Sequence, residues 1–104
     1  MSKIIKVTKE INNSIFDKRK DGEIIYDLIK SNIYNDKNII LDFDGIESSF
    51  LLPFFICIGG FFDSPENSRI FLTHVQIKAN LYLKNKINFI IEKAKRHYIT
   101  LDQE

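Results

Sequence analysis

Two carboxylates, Asp42 and Asp44, follow a run of β-branched and apolar residues near the middle of the chain. They are two positions apart, so in an extended chain their side chains lie on the same face. Covalent catalysis by a carboxylate requires such a group at the exposed end of a strand. These two aspartates are therefore the first residues in the sequence whose type and spacing suit chemistry.

Residues 39–45 resemble the first motif of the haloacid-dehalogenase-like phosphatases, in which a hydrophobic strand ends in Asp-x-Asp-Gly. The resemblance implies that Asp42 attacks phosphorus and that Asp44 acts as general acid and base. However, Ile46 stands where that family has Thr or Val, and no Gly-Asp-x-x-x-Asp follows. Two carboxylates alone make a poor magnesium site. A magnesium-dependent phosphatase is therefore kept as the alternative interpretation.

The residues that follow, Glu47, Ser48, Ser49 and Phe50, lead into a long apolar run. Serine is a preferred N-cap because its hydroxyl accepts a backbone N–H of the first helical turn. Proline lacks an N–H and is tolerated best near a helix start. With Ser49 as the cap, Pro53 falls at the end of the first turn. The sequence therefore predicts a helix that is capped by Ser49 rather than by Ser48.

Residues 37–62 resemble the strand-to-helix unit of STAS domains, the fold of the anti-sigma-factor antagonists. The motif residues are Leu41-Asp42-Phe43, Asp44-Gly45, Ile46 and Ser49-Phe50. More closely, they resemble a short bacterial STAS-like family of unknown function. The resemblance implies a small α/β sandwich that is not an enzyme but a regulatory protein-interaction module, with a histidine-kinase-like ATPase as partner. It also implies a docking surface at this turn and helix start, formed by Asp42, Asp44, Glu47, Ser48, Ser49 and Phe50.

The same resemblance makes Ser48 or Ser49 the candidate for regulation, since a partner kinase phosphorylates the cap serine of the antagonists. A phosphate at a helix N-terminus meets free N–H groups and the positive end of the helix dipole. It would also add negative charge beside Asp44 and Glu47, which would repel an acidic partner. The simpler interpretation, that the serines only cap the helix, stays open beside this one.

The run at residues 50–62 is apolar throughout but is interrupted by Pro53 and by Gly59 and Gly60. A membrane-spanning helix needs about 20 apolar residues, so the run predicts a buried core helix and no membrane segment. A helix that is apolar all round must be buried on several sides. We therefore expect a protein partner, or a second copy in a homodimer, to cover what the core does not. The side chains predicted to be buried are Leu51, Leu52, Phe54, Phe55, Ile56, Ile58 and Phe61.

The composition describes one globular domain that spans residues 1–104, with 44% hydrophobic residues, 28% charged residues and a net charge of +1. The single cysteine, Cys57, excludes an internal disulfide and fits a cytoplasmic location as a buried, inert thiol. Neither His74 nor His97 is spaced as a metal ligand with Cys57, so no metal or cofactor is predicted. Residues 69–97 hold seven Lys or Arg and one acid, which leaves a basic nucleic-acid-binding module as the second alternative.

Strands and helices alternate in the predicted order of elements. We expect a strand at residues 3–11, a helix from Asp21, a strand at residues 39–43, the apolar helix, a turn at residues 63–68, a strand at residues 69–75 and a final helix. This alternation predicts an α/β sandwich. Its sheet is expected to be mixed, with about four strands packed against helices.

Overall fold

Short strands alternate with helices along the chain. The computed structural model describes residues 2–35 and 38–102, with side chains up to residue 96. The strands are β1 (Ser2–Lys6), β2 (Ile15–Phe16), β3 (Asn38–Asp42), β4 (Ser48–Ser49) and β5 (Val75–Lys78). The helices are α1 (Val7–Ile11), α2 (Arg19–Ile33), α3 (Leu51–Cys57), α4 (Pro65–His74) and α5 (Leu81–Asp102), and a 3-10 turn at Gly59–Phe61 follows α3. The predicted α/β class, with about four strands, is confirmed.

The strands form two small sheets. The first has three strands in the order β1-β3-β5, and the second pairs β2 with β4. All of these pairings are parallel, whereas the sequence predicts a mixed sheet. The difference arises because the chain leaves the sheet as helix α1 after Lys6, so β1 is not followed by a hairpin partner.

The N-terminal segment is shorter as a strand than predicted. Strand β1 ends at Lys6, and residues 7–11 form helix α1, which buries Val7 completely. Asn12 ends the helix in the left-handed conformation, with φ of 54°. Asn tolerates this conformation better than most residues. The β-branched residues of this segment favour a strand, but burial of Val7 overrides that local preference.

The segment after α3 also differs from the prediction. Residues 65–74 form helix α4, not a turn followed by a strand, and the third strand of the larger sheet lies later, at residues 75–78. The Ser64 Oγ accepts the backbone N–H of Asn67 at 3.1 Å, and Pro65 occupies the first turn. Ser followed by Pro is a helix-start signal, since proline needs no hydrogen bond there.

The larger sheet is covered on one face. Ile5, Ile39 and Leu41 point into the core, and helix α2 packs against β1 and β3. On the opposite face, Ile4 and Gln76 are exposed. The buried side chains form one hydrophobic core, which includes the ring cluster of Phe16, Phe43 and Phe54. Within the described part of the chain, no helix is both long and apolar enough to cross a membrane.

Helix α3 is placed by its contact with α2. A Cβ on Gly22 of α2 would lie 2.7 Å from the carbonyl oxygen of Pro53 and 2.9 Å from the Cβ of Ile56. Only glycine allows the two backbones to approach this closely. The close contact fixes which side of α3 faces the core and which side faces outward.

Candidate functional site

Asp42 lies at the carboxyl end of β3, the central strand of the larger sheet. The register places it between Lys6 of β1 and Lys78 of β5. Its Oδ1 accepts the backbone N–H of Asp44 at 2.8 Å, and its Oδ2 lies 4.0 Å from the Nζ of Lys78. Only 8% of the residue is exposed. Both carboxylate oxygens therefore have a partner, and Asp42 closes the turn after β3.

Asp44 does not share an extended face with Asp42, because the chain turns at Asp44 and Gly45. Gly45 has φ of 90°, a conformation that glycine adopts without strain. Asp44 is exposed and borders a shallow cleft of about 280 Å³ whose wall includes Lys78 and Asn80. Within residues 2–35 and 38–96, no three His, Cys, Asp or Glu side chains are grouped as metal ligands would be. The carboxylate geometry thus gives the phosphatase interpretation no added support.

Ser48 and Ser49 form strand β4, which pairs with Ile15 and Phe16 of β2. The backbone N–H of Phe50 continues this pairing and donates to the Phe16 carbonyl at 3.0 Å. The predicted Ser49 cap is therefore wrong: the N-cap of α3 is Phe50, without a side-chain cap, and the helix begins at Leu51. Pairing with β2 holds both serines in the extended conformation, away from the first helical turn.

Ser49 instead connects β4 to helix α5. The Lys86 Nζ donates to the carbonyl oxygen of Ser49 at 3.0 Å and to its Oγ at 3.2 Å. Ser48 and Glu47 are exposed beside it, and the Glu47 carboxylate accepts the Ser14 hydroxyl at 3.3 Å. Of the predicted docking residues, Asp44, Glu47, Ser48 and Phe50 thus face solvent. Asp42 and Ser49 hold the local structure together.

Helix α3 is buried on one side only. Pro53, Phe54, Cys57 and Ile58 face the core, as expected for an apolar helix. The prediction that Leu51, Leu52 and Phe55 are buried is wrong, because these side chains are exposed. Their spacing along the helix places them on one side. Phe50, which precedes the helix, is 60% exposed, and we call these four exposed side chains the apolar face of α3: Phe50, Leu51, Leu52 and Phe55.

A second surface feature, on α5, was not predicted from the sequence. Tyr82, Lys86, Phe89 and Lys93 follow one another at intervals of four, three and four residues, so they lie on one side of the helix. The Lys86 Nζ lies 4.9 Å from the ring centroid of Tyr82, and the Lys93 Nζ lies 5.5 Å from that of Phe89. We call these four residues the lysine–aromatic stripe. Its signal in the sequence was the repeated aromatic–lysine spacing of four.

A groove of about 450 Å³ lies between the two surfaces. Phe55 and Gly59 border it on one side, and Lys93 and Ala94 of α5 border it on the other. Phe62, which is almost fully buried, also lines the groove. Since Lys86 contacts Ser49 and Lys93 shares the groove with Phe55, α5 lies against α3 and the segment that enters it. The apolar face of α3 and the lysine–aromatic stripe are therefore neighbours.

Cys57, His74 and His97 are the remaining residues that the sequence singled out. Cys57 is fully buried, its thiol lies 3.8 Å from the Phe54 carbonyl oxygen, and burial raises the pKa of the thiol far above its usual range. The Nδ1 of His74 lies 3.3 Å from the Oδ1 of Asn38. The side chain of His97 lies outside the described residues.

Comparison with known proteins adds no relative. No protein-family model matches the chain, no curated protein matches it, and no solved structure matches its fold. The resemblance of residues 37–62 to STAS domains therefore stays a prediction.

Proposed function

We propose that this chain is a non-enzymatic regulatory protein-interaction module of the STAS-like kind, which docks a partner at the start of α3. The observation that carries the proposal is the exposure of the apolar face of α3 opposite a fully buried side of the same helix. A surface helix of a globular protein normally presents polar residues outward. Contiguous exposed apolar patches mark sites of protein–protein contact.

The docking surface is held in place before any partner arrives. The pairing of β4 with β2, the hydrogen bond from Phe50 to Phe16 and the two bonds from Lys86 to Ser49 all act on the segment that enters α3. A surface that is already ordered loses less conformational entropy on binding. This rigidity supports a docking role for Phe50 and the residues that follow it.

The resemblance to STAS domains suggests the class of partner, a histidine-kinase-like ATPase, and a cytoplasmic location. It also suggests regulation by phosphorylation. Ser48 is exposed beside Glu47 at the edge of the apolar face, so a phosphate there adds negative charge next to the docking surface. Ser49 is half-buried and bonded to Lys86, which makes Ser48 the more accessible of the two serines.

The test is a pull-down from native lysate with three versions of the chain: wild type, Leu52→Glu and Leu72→Glu. Leu52 on α3 is 51% exposed and Leu72 on α4 is 49% exposed, so the two variants make the same change at equal exposure on different surfaces. We expect wild type and Leu72→Glu to retain a histidine-kinase-like ATPase, and Leu52→Glu to lose it. Ser48→Asp should weaken the same contact.

Two outcomes contradict the proposal. Either wild type captures no such ATPase, or Leu52→Glu and Leu72→Glu affect its capture equally. A homodimer formed through the apolar face is a separate possibility, and sedimentation of the purified chain over a range of concentrations tests it. In that case Leu52→Glu, and not Leu72→Glu, would convert the dimer to a monomer.

A further inference from the structure

The segment that enters α3 has little local structure to hold it in place. Strand β4 has two residues, and its partner β2 also has two. Parallel pairing of this kind is slightly less stable per residue than antiparallel pairing. Helix α3 has seven residues and no side-chain cap, and a helix of that length is marginal in isolation. The position of Phe50 and of the apolar face of α3 therefore depends on contacts with other parts of the chain.

Lys86 of α5 supplies one of these contacts. Its Nζ donates to the carbonyl oxygen of Ser49 at 3.0 Å and to the Oγ of Ser49 at 3.2 Å. Hydrogen bonds from an ammonium group are stronger than those between neutral groups. Ser49 is half-buried, and an acceptor that loses its partner in such a position raises the free energy of the folded state. Removal of the ammonium group therefore weakens the hold on β4.

Lys86 is itself held in a defined position on α5. Leu83, one turn earlier, and Ile87, the next residue, are both buried, so they anchor this part of the helix in the core. The ring of Tyr82 also lies one turn earlier, with 4.9 Å between its centroid and the Lys86 Nζ. A cation–π contact of this kind favours a defined position for the ammonium group. The ammonium group is thus kept where it meets Ser49.

We propose that Lys86 is a latch between α5 and the segment that enters α3. While its ammonium group bonds Ser49, β4 stays paired with β2 and Phe50 stays in a fixed position at the surface. When the ammonium group is removed, β4 separates from β2 more often, and the start of α3 opens with it. This inference rests on the proposed docking function for the role of the surface that the latch controls. Its test therefore measures the opening itself, without a partner.

Backbone amide hydrogen exchange, followed by nuclear magnetic resonance on the purified chain, measures local opening residue by residue. Two amides report the pairing of the entering segment with β2. The Phe50 N–H donates to the Phe16 carbonyl at 3.0 Å, and the Glu47 N–H donates to the Ser14 carbonyl at 2.8 Å. Both must be released before they exchange, so their exchange rates follow the opening of this pairing.

Lys86→Met removes the hydrogen-bond donors but keeps a flexible side chain on α5. We expect exchange at Phe50 and Glu47 to become roughly tenfold faster than in wild type, because hydrogen bonds from a charged group are lost. The Phe43 N–H, which donates to the Lys78 carbonyl at 2.9 Å, reports the larger sheet and should keep its exchange rate. A change confined to the entering segment separates a latch from a general loss of stability, which would accelerate exchange at all three amides.

Two further variants complete the experiment. Lys86→Arg keeps a charged donor at the same position and should restore slow exchange at Phe50. Lys84→Met is the matched control, because it makes the same change on the same helix. Lys84 precedes Lys86 by two residues, which is about 200° around the helix axis, so it points to a different side of α5. Exchange at Phe50 should be the same in Lys84→Met as in wild type.

Four results overturn the inference. They are unchanged exchange at Phe50 in Lys86→Met, equal acceleration at Phe50 and Phe43, an equal effect of Lys84→Met, and failure of Lys86→Arg to restore slow exchange. Capture of an ATPase from the lysate judges the docking function separately. If no ATPase is captured but Lys86→Met alone opens the segment, the docking function falls and the latch stands. If an ATPase is captured and exchange does not change, the docking function stands and the latch falls.

Discussion

Helices α2 and α3 pack against each other but use their surfaces differently. In α2, Ile25, Ile29 and Ile33 are buried while the exposed side is polar, as in Glu23 and Lys30. In α3, the buried side and the exposed side are both apolar. Helix α2 thus completes its packing within the chain, whereas α3 completes only half. This difference is the basis for the proposed docking role of the outward residues of α3.

The two helices also begin differently. The first turn of α2 is closed by Asp21, whose carboxylate accepts the backbone N–H of Lys18 at 3.3 Å. The start of α3 has no side-chain cap and is held by the pairing of β4 with β2. Helix α2 is held at its start by a residue of its own first turn, whereas α3 is held by a strand that is distant in the sequence. As a result, the exposed Phe50, and not a serine, is the N-cap of α3.

Replacing inward and outward phenylalanines of α3 gives the largest expected difference. Phe54→Ala removes a fully buried ring whose centroid lies 5.0 Å from that of Phe16, and should lower the free energy of unfolding by about 3–5 kcal/mol. Phe55→Ala removes a ring that is partly exposed and should lower it by less than about 1 kcal/mol. Urea denaturation followed by circular dichroism measures both. Equal losses would mean that both faces of α3 are packed in solution.

The sequence predicted the elements whose own pattern of apolar residues shows which positions are buried. The apolar spacing of Ile25 and Ile29 predicted α2, and residues 39–43, which are apolar except for Asp42, predicted β3, because each pattern reports burial within its own element. The sequence does not predict which side of α3 is buried. Every position of the run is apolar, so no periodicity distinguishes the side that faces Gly22 from the side that faces solvent.

The candidate site was predicted in part. Residues 47–50 do lie at an exposed strand-to-helix junction, but the predicted helix cap by Ser49 is wrong. The serine cap failed because β4 pairs with Ile15 and Phe16, a strand of two residues inside a polar segment that gives no strand signal. Asp42 and Asp44 do not share a face as predicted, because the chain turns at Gly45 and the alternation of an extended strand does not apply to them.

The close contact between α2 and α3 predicts an unusual response to a glycine substitution. Alanine in an exposed helix normally stabilises relative to glycine. At Gly22, however, the added Cβ would meet Pro53 and Ile56, so Gly22→Ala should lower the free energy of unfolding by about 1–3 kcal/mol. Gly59→Ala is the control, since its Cβ would lie 3.6 Å from the Phe55 ring, an ordinary contact. Stabilisation by Gly22→Ala would show that the helices are farther apart than described.

The inward side of α3 also predicts a pH dependence through Cys57. Burial raises the pKa of this thiol, so the folded state keeps a proton that the unfolded state loses above about pH 8.5. The unfolded state then binds fewer protons, and the free energy of unfolding should fall by about 1.4 kcal/mol per pH unit above that value. Denaturation midpoints measured from neutral to alkaline pH, in wild type and Cys57→Ala, isolate this contribution. Parallel curves for the two proteins would contradict the buried position of the thiol.

The smallest expected effect on stability is at the outward face, and it tests what that face is for. Leu52→Gln should change the free energy of unfolding by less than about 0.5 kcal/mol, and so should Glu23→Gln, whose exposed ion pair with Arg19 contributes little. The two variants should differ in exposed apolar surface: binding of a hydrophobic dye should fall in Leu52→Gln and stay constant in Glu23→Gln. A loss of several kcal/mol in Leu52→Gln, with a midpoint that depends on protein concentration, would show instead that a second copy already covers the apolar face of α3. The contrast between α2 and α3 would then reflect a homodimer interface, not a docking surface that is open to a different partner.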